Sequence, residues 1–172
     1  MPQSRDYFAE LYVAGILGDC GWSVYFPKRD VGFDFIITKQ VEERIIVRPV
    51  QVKGKYPEEE KEEKKVYGYI GALSQVHPEM VLAIPFFPTD RLGVAPVCTA
   101  YVPFWRISPQ ASRGYACQPV VWRGALPTPR QTYRRFFDFD GIRAMETLDW
   151  SVRPTVEEFN VRRAKNTTIV TS

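Results

Sequence analysis

Two side chains able to take part in chemistry stand two residues apart in the stretch 44–55, which reads Arg-Ile-Ile-Val-Arg-Pro-Val-Gln-Val-Lys-Gly-Lys. Its first half is apolar and β-branched, which suits a strand. Residues two apart on a strand share a face, so Gln51 and Lys53 point one way while Val50 and Val52 point the other. A polar pair on one face of an apolar strand calls for partners. Upstream, Asp34 opens an apolar run introduced by Gly32-Phe33-Asp34-Phe35. Glu10 falls between Ala14 and Leu17 on a helical wheel. A carboxylate there is costly unless paired or bound to a metal. The alternative is a solvated glutamate at a helix edge, and the residues by themselves leave both open.

Other chemistries find less support. Cys20, Cys98 and Cys117 have no paired spacing, and His77 is the one histidine. A structural zinc site usually takes four Cys or His ligands, and thiol or hydroxyl nucleophiles usually lean on a histidine base. His77 precedes Pro78 and reads as a surface turn residue.

The elements that must position these groups come next. Residues 5–20 predict a helix capped by Ser4, with Asp6 in its first turn and Gly21 as its stop. Phe8, Leu11, Tyr12, Val13, Ile16 and Leu17 nearly encircle it, which predicts a largely buried helix. Residues 22–26, 33–38 and 44–53 predict a three-stranded meander. Pro49 cannot donate to a ladder, so it requires a bulge or a strand side without a partner. Pro57 and the Glu-rich run after it predict a helix over 58–76, with Val66, Ile70, Leu73 and Val76 as its apolar stripe and Gly68 and Gly71 weakening it. Residues 80–87 predict a buried strand, and 94–107 another, interrupted by Pro96 and Pro103. Short strands are expected at 120–122 and 134–139, helices at 141–148 and 155–165, and a loose tail at 166–172.

At 172 residues the chain suffices for one domain, 1–172, with a core at about 5–87 and a C-terminal extension at about 88–172. No apolar run reaches the ~18–20 residues that span a bilayer. The N-terminus lacks the basic segment and apolar block of a signal peptide. No membrane association and a cytoplasmic location are expected.

Charge is unevenly spread. The stretch 91–137 holds seven arginines (Arg91, Arg106, Arg113, Arg123, Arg130, Arg134 and Arg135), no lysine and no acid, so the remainder is net negative. Such asymmetry predicts a basic face toward an anionic partner. Tyr101, Phe104, Trp105, Tyr115, Trp122, Tyr133, Phe136 and Phe137 interleave with these arginines. Arginine grips phosphate through paired donors, and aromatic rings stack on bases. The same aromatics would equally pack a β-rich core.

A helix bearing Glu10, a strand opening at Asp34 and a neighbouring strand with Gln51-Val52-Lys53 together resemble the PD-(D/E)XK nuclease superfamily, which includes restriction endonucleases and Holliday-junction resolvases. The resemblance covers about residues 5–87. It implies an α/β fold, with a restriction-endonuclease-like αβββαβ core, a mixed central sheet and a C-terminal extension of short strands and helices. It places Asp34 at the family's first acidic position, Gln51 at the (D/E) position and Lys53 at the lysine. Glu10 corresponds to the first-helix glutamate of resolvase-like members. The implied function is metal-dependent hydrolysis of phosphodiester bonds in nucleic acid, DNA being the expected substrate.

Under that resemblance Asp34, Gln51 and Glu10 hold Mg²⁺ or Mn²⁺, which polarises the phosphoryl oxygen and activates water. Lys53 and Glu10 are the catalytic side chains, Lys53 stabilising developing negative charge. Gln51 departs from the family pattern because it offers only a neutral carbonyl oxygen. Lys28, Arg29 and Lys55 lie close enough in sequence to touch phosphates, joined by Arg106, Arg113, Arg123, Arg134 and Arg135 from the basic stretch. Family relatives are often dimers, so a homodimer is expected. The alternative is a catalytically silent nuclease-fold module that binds nucleic acid or a protein partner through its arginine-rich face.

Overall fold

The computed structural model describes residues 4–29, 32–57, 69–73, 75–89, 91, 93–111, 114–123 and 126–153. The chain opens with helix α1 (Ser4–Asp19), followed by strands β1 (Ser23–Tyr25), β2 (Phe35–Val41) and β3 (Arg44–Val52). Strands β4 (Tyr69–Gly71), β5 (Val81–Phe86) and β6 (Cys98–Pro103) come next, then a 3₁₀ turn at Phe104–Arg106. Short strands β7 (Ser108–Pro109), β8 (Tyr115–Ala116), β9 (Val120–Arg123) and β10 (Leu126–Pro129) precede a 3₁₀ segment at Gln131–Phe136 and helix α2 (Asp138–Met145). The protein is α/β, built on a mixed five-stranded sheet in the order β1-β2-β3-β5-β6. Only the β3–β5 pairing is parallel. Because β6 belongs to this sheet, the expected core and C-terminal extension share one set of ladders.

Gly21 ends α1 as its sequence predicts. Its φ of +83° is open to glycine at little cost, and Trp22 N–H reaches back to Leu17 O at 3.0 Å. The helix is less enclosed than its wheel suggests. Ala9, Val13, Ala14 and Leu17 are buried, whereas Tyr7 and Leu11 are 65% and 44% exposed. One sheet face covers one stripe of the helix, so the remaining apolar residues look outward.

Pro49 sits in β3 without a bulge, since the β2–β3 register is continuous from Phe35↔Val50 to Val41↔Arg44. Asp34 N–H bonds Val50 O at 3.0 Å, so the main-chain groups of even-numbered β3 residues turn toward β2. The position at 49, which lacks a donor, therefore faces the β5 side, where pairing begins only at Val50↔Val81. The expected unpaired side is present.

Two expectations need correction. Residues 69–71, placed in a helix by the 58–76 stripe, form strand β4, which pairs with β8. Gly71 at φ +81° cannot continue a helix, and Ile70 and Leu73 bury against the outer sheet face instead. Residues 58–68 lie outside the described residues. The run 134–139, expected as a strand, is 3₁₀ and then helical, with a single bridge at Ala100↔Phe137. Asp138, at φ 48°, accepts Thr99 N–H at 2.9 Å and turns the chain away from the edge of β6. The expected helix at 155–165 and tail at 166–172 also lie outside the described residues.

Two apolar clusters sandwich the sheet. On one face α1 and α2 pack on Phe35, Ile37, Ile46, Val50, Val52, Val81, Ala83 and Tyr101. On the other, Leu82, Ile84, Phe86, Ala100 and Val102 meet Ile70, Leu73, Ile107, Cys117 and Val120. Cys98 and Cys117 are buried in this second cluster. Burial raises both thiols to about 12, which keeps them protonated and unreactive. Among the described residues no helix is long and apolar enough to cross a membrane.

Candidate active site

The side chains of Phe35 and Val50 pair on the helical face, so the alternation of a strand sends Gln51 to the opposite face, beside its β5 neighbour Leu82. Asp34 immediately precedes β2 at the level of Gln51. Its Oδ2 accepts Val52 N–H at 2.6 Å. That bond replaces the rung that β2 would have supplied had it begun two residues earlier. It fixes the carboxylate at the sheet edge, between the two faces.

Gln51 is 6% exposed, and its Oε1 is a buried atom with no hydrogen-bond partner. A buried carbonyl oxygen without a donor is costly, and such exceptions in a folded chain ask for an explanation. A cation is one group that satisfies it.

Glu10 arrives from α1 past the start of β2. It is half-buried, and burial raises its carboxyl from 4.5 to about 7. The Asp34 and Asp6 carboxylates add to the rise and the Lys53 ammonium opposes it. Asp34 and Lys53 therefore both lie close enough to Glu10 to act on its charge. Glu10 thus lies within electrostatic reach of two side chains, Asp34 and Lys53, that stand up to 43 positions away in the chain. Among the described residues no group of three or more His, Cys, Asp and Glu side chains gathers as a metal cage. A cation here would draw on two carboxylates and the Gln51 amide.

The Glu10 shift has a stability consequence. The unfolded chain ionises near 4.5 and the folded one near 7, so the folded state binds the extra proton between these values. Metal-free stability is lost as pH rises through that window. Glu10→Gln is expected to stabilise the metal-free protein by about 1 kcal/mol at pH 8, a figure reduced from the full shift for solvent screening of a half-buried group. At pH 4, where Glu10 is protonated in both states, the substitution should be close to neutral. Urea unfolding at the two pH values measures the difference, and equal effects at both would remove Glu10 from the charged cluster.

The basic residues divide into groups. Lys28 and Arg29 are exposed on the loop that leads from β1 toward Asp34. Lys55 is half-buried and pairs through its main chain with Phe86, while its charge and that of Arg106 both act on the Cys117 thiol of the outer cluster. Arg106 is largely engaged: its guanidinium lies 4.0 Å from the Tyr133 ring centroid and Nη2 donates to Thr132 O at 2.7 Å. Arg135 lies 4.6 Å from the Phe136 ring, and Arg134 is exposed on the same 3₁₀ segment. Arg113 and the Arg123 side chain lie outside the described residues. The aromatics serve the core as well as the rim, since Tyr101, Phe136 and Phe137 are buried.

Sequence reasoning passed over two features beside this edge. Tyr56 stacks on Phe87 with ring centroids 4.4 Å apart and planes 4° from parallel. Gly54 lets α1 approach, because a Cβ there would stand 3.1 Å from Ala9 Cβ and 3.0 Å from Tyr56 Cε2. The glycine between Lys53 and Lys55 was the available signal.

The fold and edge cluster define an α/β protein with two carboxylates, an amide and a lysine at one end of a mixed sheet. No protein-family model matches the chain, and no curated protein is significantly similar to it.

Proposed function

We propose that the protein is a metal-dependent phosphodiesterase of the restriction-endonuclease-like class, acting on nucleic acid, with DNA as the substrate. The observation that carries this reading is that Glu10 lies within electrostatic reach of both Asp34 and Lys53, with the buried, unpartnered Gln51 Oε1 at the level of Asp34 on β3. The order of α1, β1, β2 and β3 followed by a parallel β5 also supports it.

The residues present suit Mg²⁺ or Mn²⁺, which are bound by oxygen ligands. Asp34 and Glu10 would hold the ion with charged oxygens, and Gln51 would add a neutral one that otherwise has no donor. A bound divalent ion would polarise the phosphoryl group and lower the pKa of water. Asp34 is oriented by Val52 N–H, which donates to its Oδ2. Lys53 places a positive charge where the phosphoryl oxygens gain negative charge, and so stabilises the transition state. Lys28 and Arg29 on the loop before Asp34 grip the phosphate backbone, a contact that carries no sequence choice. Two copies of the chain, each cutting one strand, would serve duplex cleavage.

A second reading, a silent module that holds nucleic acid through its arginines, draws on the neutral Gln51 and on Arg134 and Arg135 exposed on one 3₁₀ segment.

Divalent-ion titration separates the two. Mn²⁺ or Mg²⁺ should bind the wild-type protein, and Asp34→Asn, which keeps an acceptor for Val52 N–H, should weaken binding by at least about tenfold, as loss of one charged ligand implies. Circular and branched DNA should be cut by the wild type in Mn²⁺ and left intact by the variant. DNA binding indifferent to both metal and Asp34→Asn would establish the silent module in place of the enzyme. No salt-dependent DNA affinity at all would end both readings.

A further inference from the structure

The chain that carries Gln51 and Lys53 keeps its strand-like pairing with β5 beyond the end of β3. Lys53 N–H donates to Ala83 O and Lys55 N–H to Pro85 O, each at 2.9 Å, and Phe87 N–H returns to Lys55 O at 2.8 Å. Odd-numbered residues here turn their main-chain groups toward β5. Even-numbered residues turn theirs the other way, and Val52 N–H accordingly reaches Asp34. Gly54 N–H lies one further strand period along, about 7 Å past Val52 N–H. The β2–β3 ladder has already ended at Phe35↔Val50, and among the described residues nothing accepts from Gly54 N–H.

The other side of Gly54 is closed. Tyr56, stacked on Phe87, and Ala9 of α1 fill the space where a Cβ would stand. Gly54 is nevertheless half-buried, not sealed. The segment thus presents its main chain where the β2–β3 ladder has ended, between Lys53 and Lys55 and next in line to Asp34. A main-chain N–H whose two chain neighbours are lysines lies in a locally basic stretch, and a bond from N–H to a charged oxygen is stronger than one to a neutral acceptor.

We infer that the Gly54 main-chain N–H is a substrate-anchoring donor that receives a non-bridging phosphate oxygen of the nucleic-acid backbone beside the Asp34 carboxylate. The inference rests on the reading that this edge handles phosphodiesters. It adds that the strand is gripped here through its backbone by a main-chain group, a contact blind to base sequence.

Amide NMR and hydrogen exchange on the full chain with Mg²⁺ test it, using a short phosphorothioate DNA strand as a cleavage-resistant probe. In the free protein Gly54 N–H should exchange on the order of tenfold or more faster than the paired Lys53 and Lys55 N–H groups. On titration with the strand its proton signal should move downfield and its exchange should slow toward theirs. Protection of Gly54 N–H before DNA is added would show that the chain itself closes this edge, and would overturn the inference. So would an unchanged Gly54 signal at saturating DNA. The two proposals fail separately. A responding Gly54 in a protein that cuts no unmodified DNA supports the anchor and removes the enzyme. Cleavage with an unresponsive Gly54 does the reverse.

Discussion

Replacing Arg48 by alanine is expected to destabilise the protein by about 2–4 kcal/mol, the scale for leaving buried acceptors without their charged donor. Arg48 is 2% exposed in the middle of β3. Its guanidinium donates to Met145 O at 3.2 and 3.3 Å and to Thr147 O at 2.9 Å, and it pairs with Glu79. It also lies 5.9 Å from the Trp150 ring centroid, and Trp150 Nε1 in turn donates to Met80 O at 3.0 Å. Met145 O is the last carbonyl of α2 and Thr147 O follows just past it, where a helix end supplies no N–H partner of its own and positive charge is favoured. Burial lowers the guanidinium to about 10, so it still carries its proton at neutral pH. Alanine would leave two carbonyls without donors and Glu79 without its cation. Lysine should recover only part of the loss, because one ammonium cannot match the planar fork. Chemical denaturation of the three proteins measures this. A loss below about 1 kcal/mol, the level of an ordinary exposed ion pair, would mean that apolar contacts alone dock α2 on the sheet.

Lys53→Ala is expected to slow metal-dependent DNA cleavage by about 10²–10³-fold, the scale for removing one group aimed at developing charge. Divalent-ion affinity should not fall, since Lys53 repels the ion. The pH profile gives a second readout. The Lys53 ammonium holds the Glu10 carboxyl down, so its removal should move the acidic limb of the rate profile to higher pH. A variant that merely misfolds would lose DNA binding and metal binding together. If Lys53→Ala cuts at the wild-type rate, the lysine has no part in the proposed chemistry and the edge cluster must be read as an ion-pair network.

Much of the sheet could be read from local pattern. β1, β2, β3 and β5 fall within three residues of the predicted runs, because alternation and β-branching act over short distances. Gly21 and Pro49 also behaved as their backbone restrictions require. The failures occurred where a residue's neighbour lies far away in sequence. A stripe at helical spacing became β4 because β8, more than forty residues later, offered an edge to pair with. An aromatic run resembling a strand became 3₁₀ and helix because Asp138 found Thr99 N–H on β6.

The sequence by itself determined that Gln51 and Lys53 stand two apart on one extended run and that Asp34 stands where the neighbouring strand begins, since β-branched alternation is a local property of the chain. It left Glu10 balanced between solvent and a charged partner. That choice belonged to the tertiary structure, because α1 must pack over Gly54 before its carboxylate comes within reach of Asp34 and Lys53. The burial of Arg48 under the end of α2 was likewise invisible in the chain. Nothing in an alternating strand reveals that a helix end, nearly a hundred residues on, will need its donors.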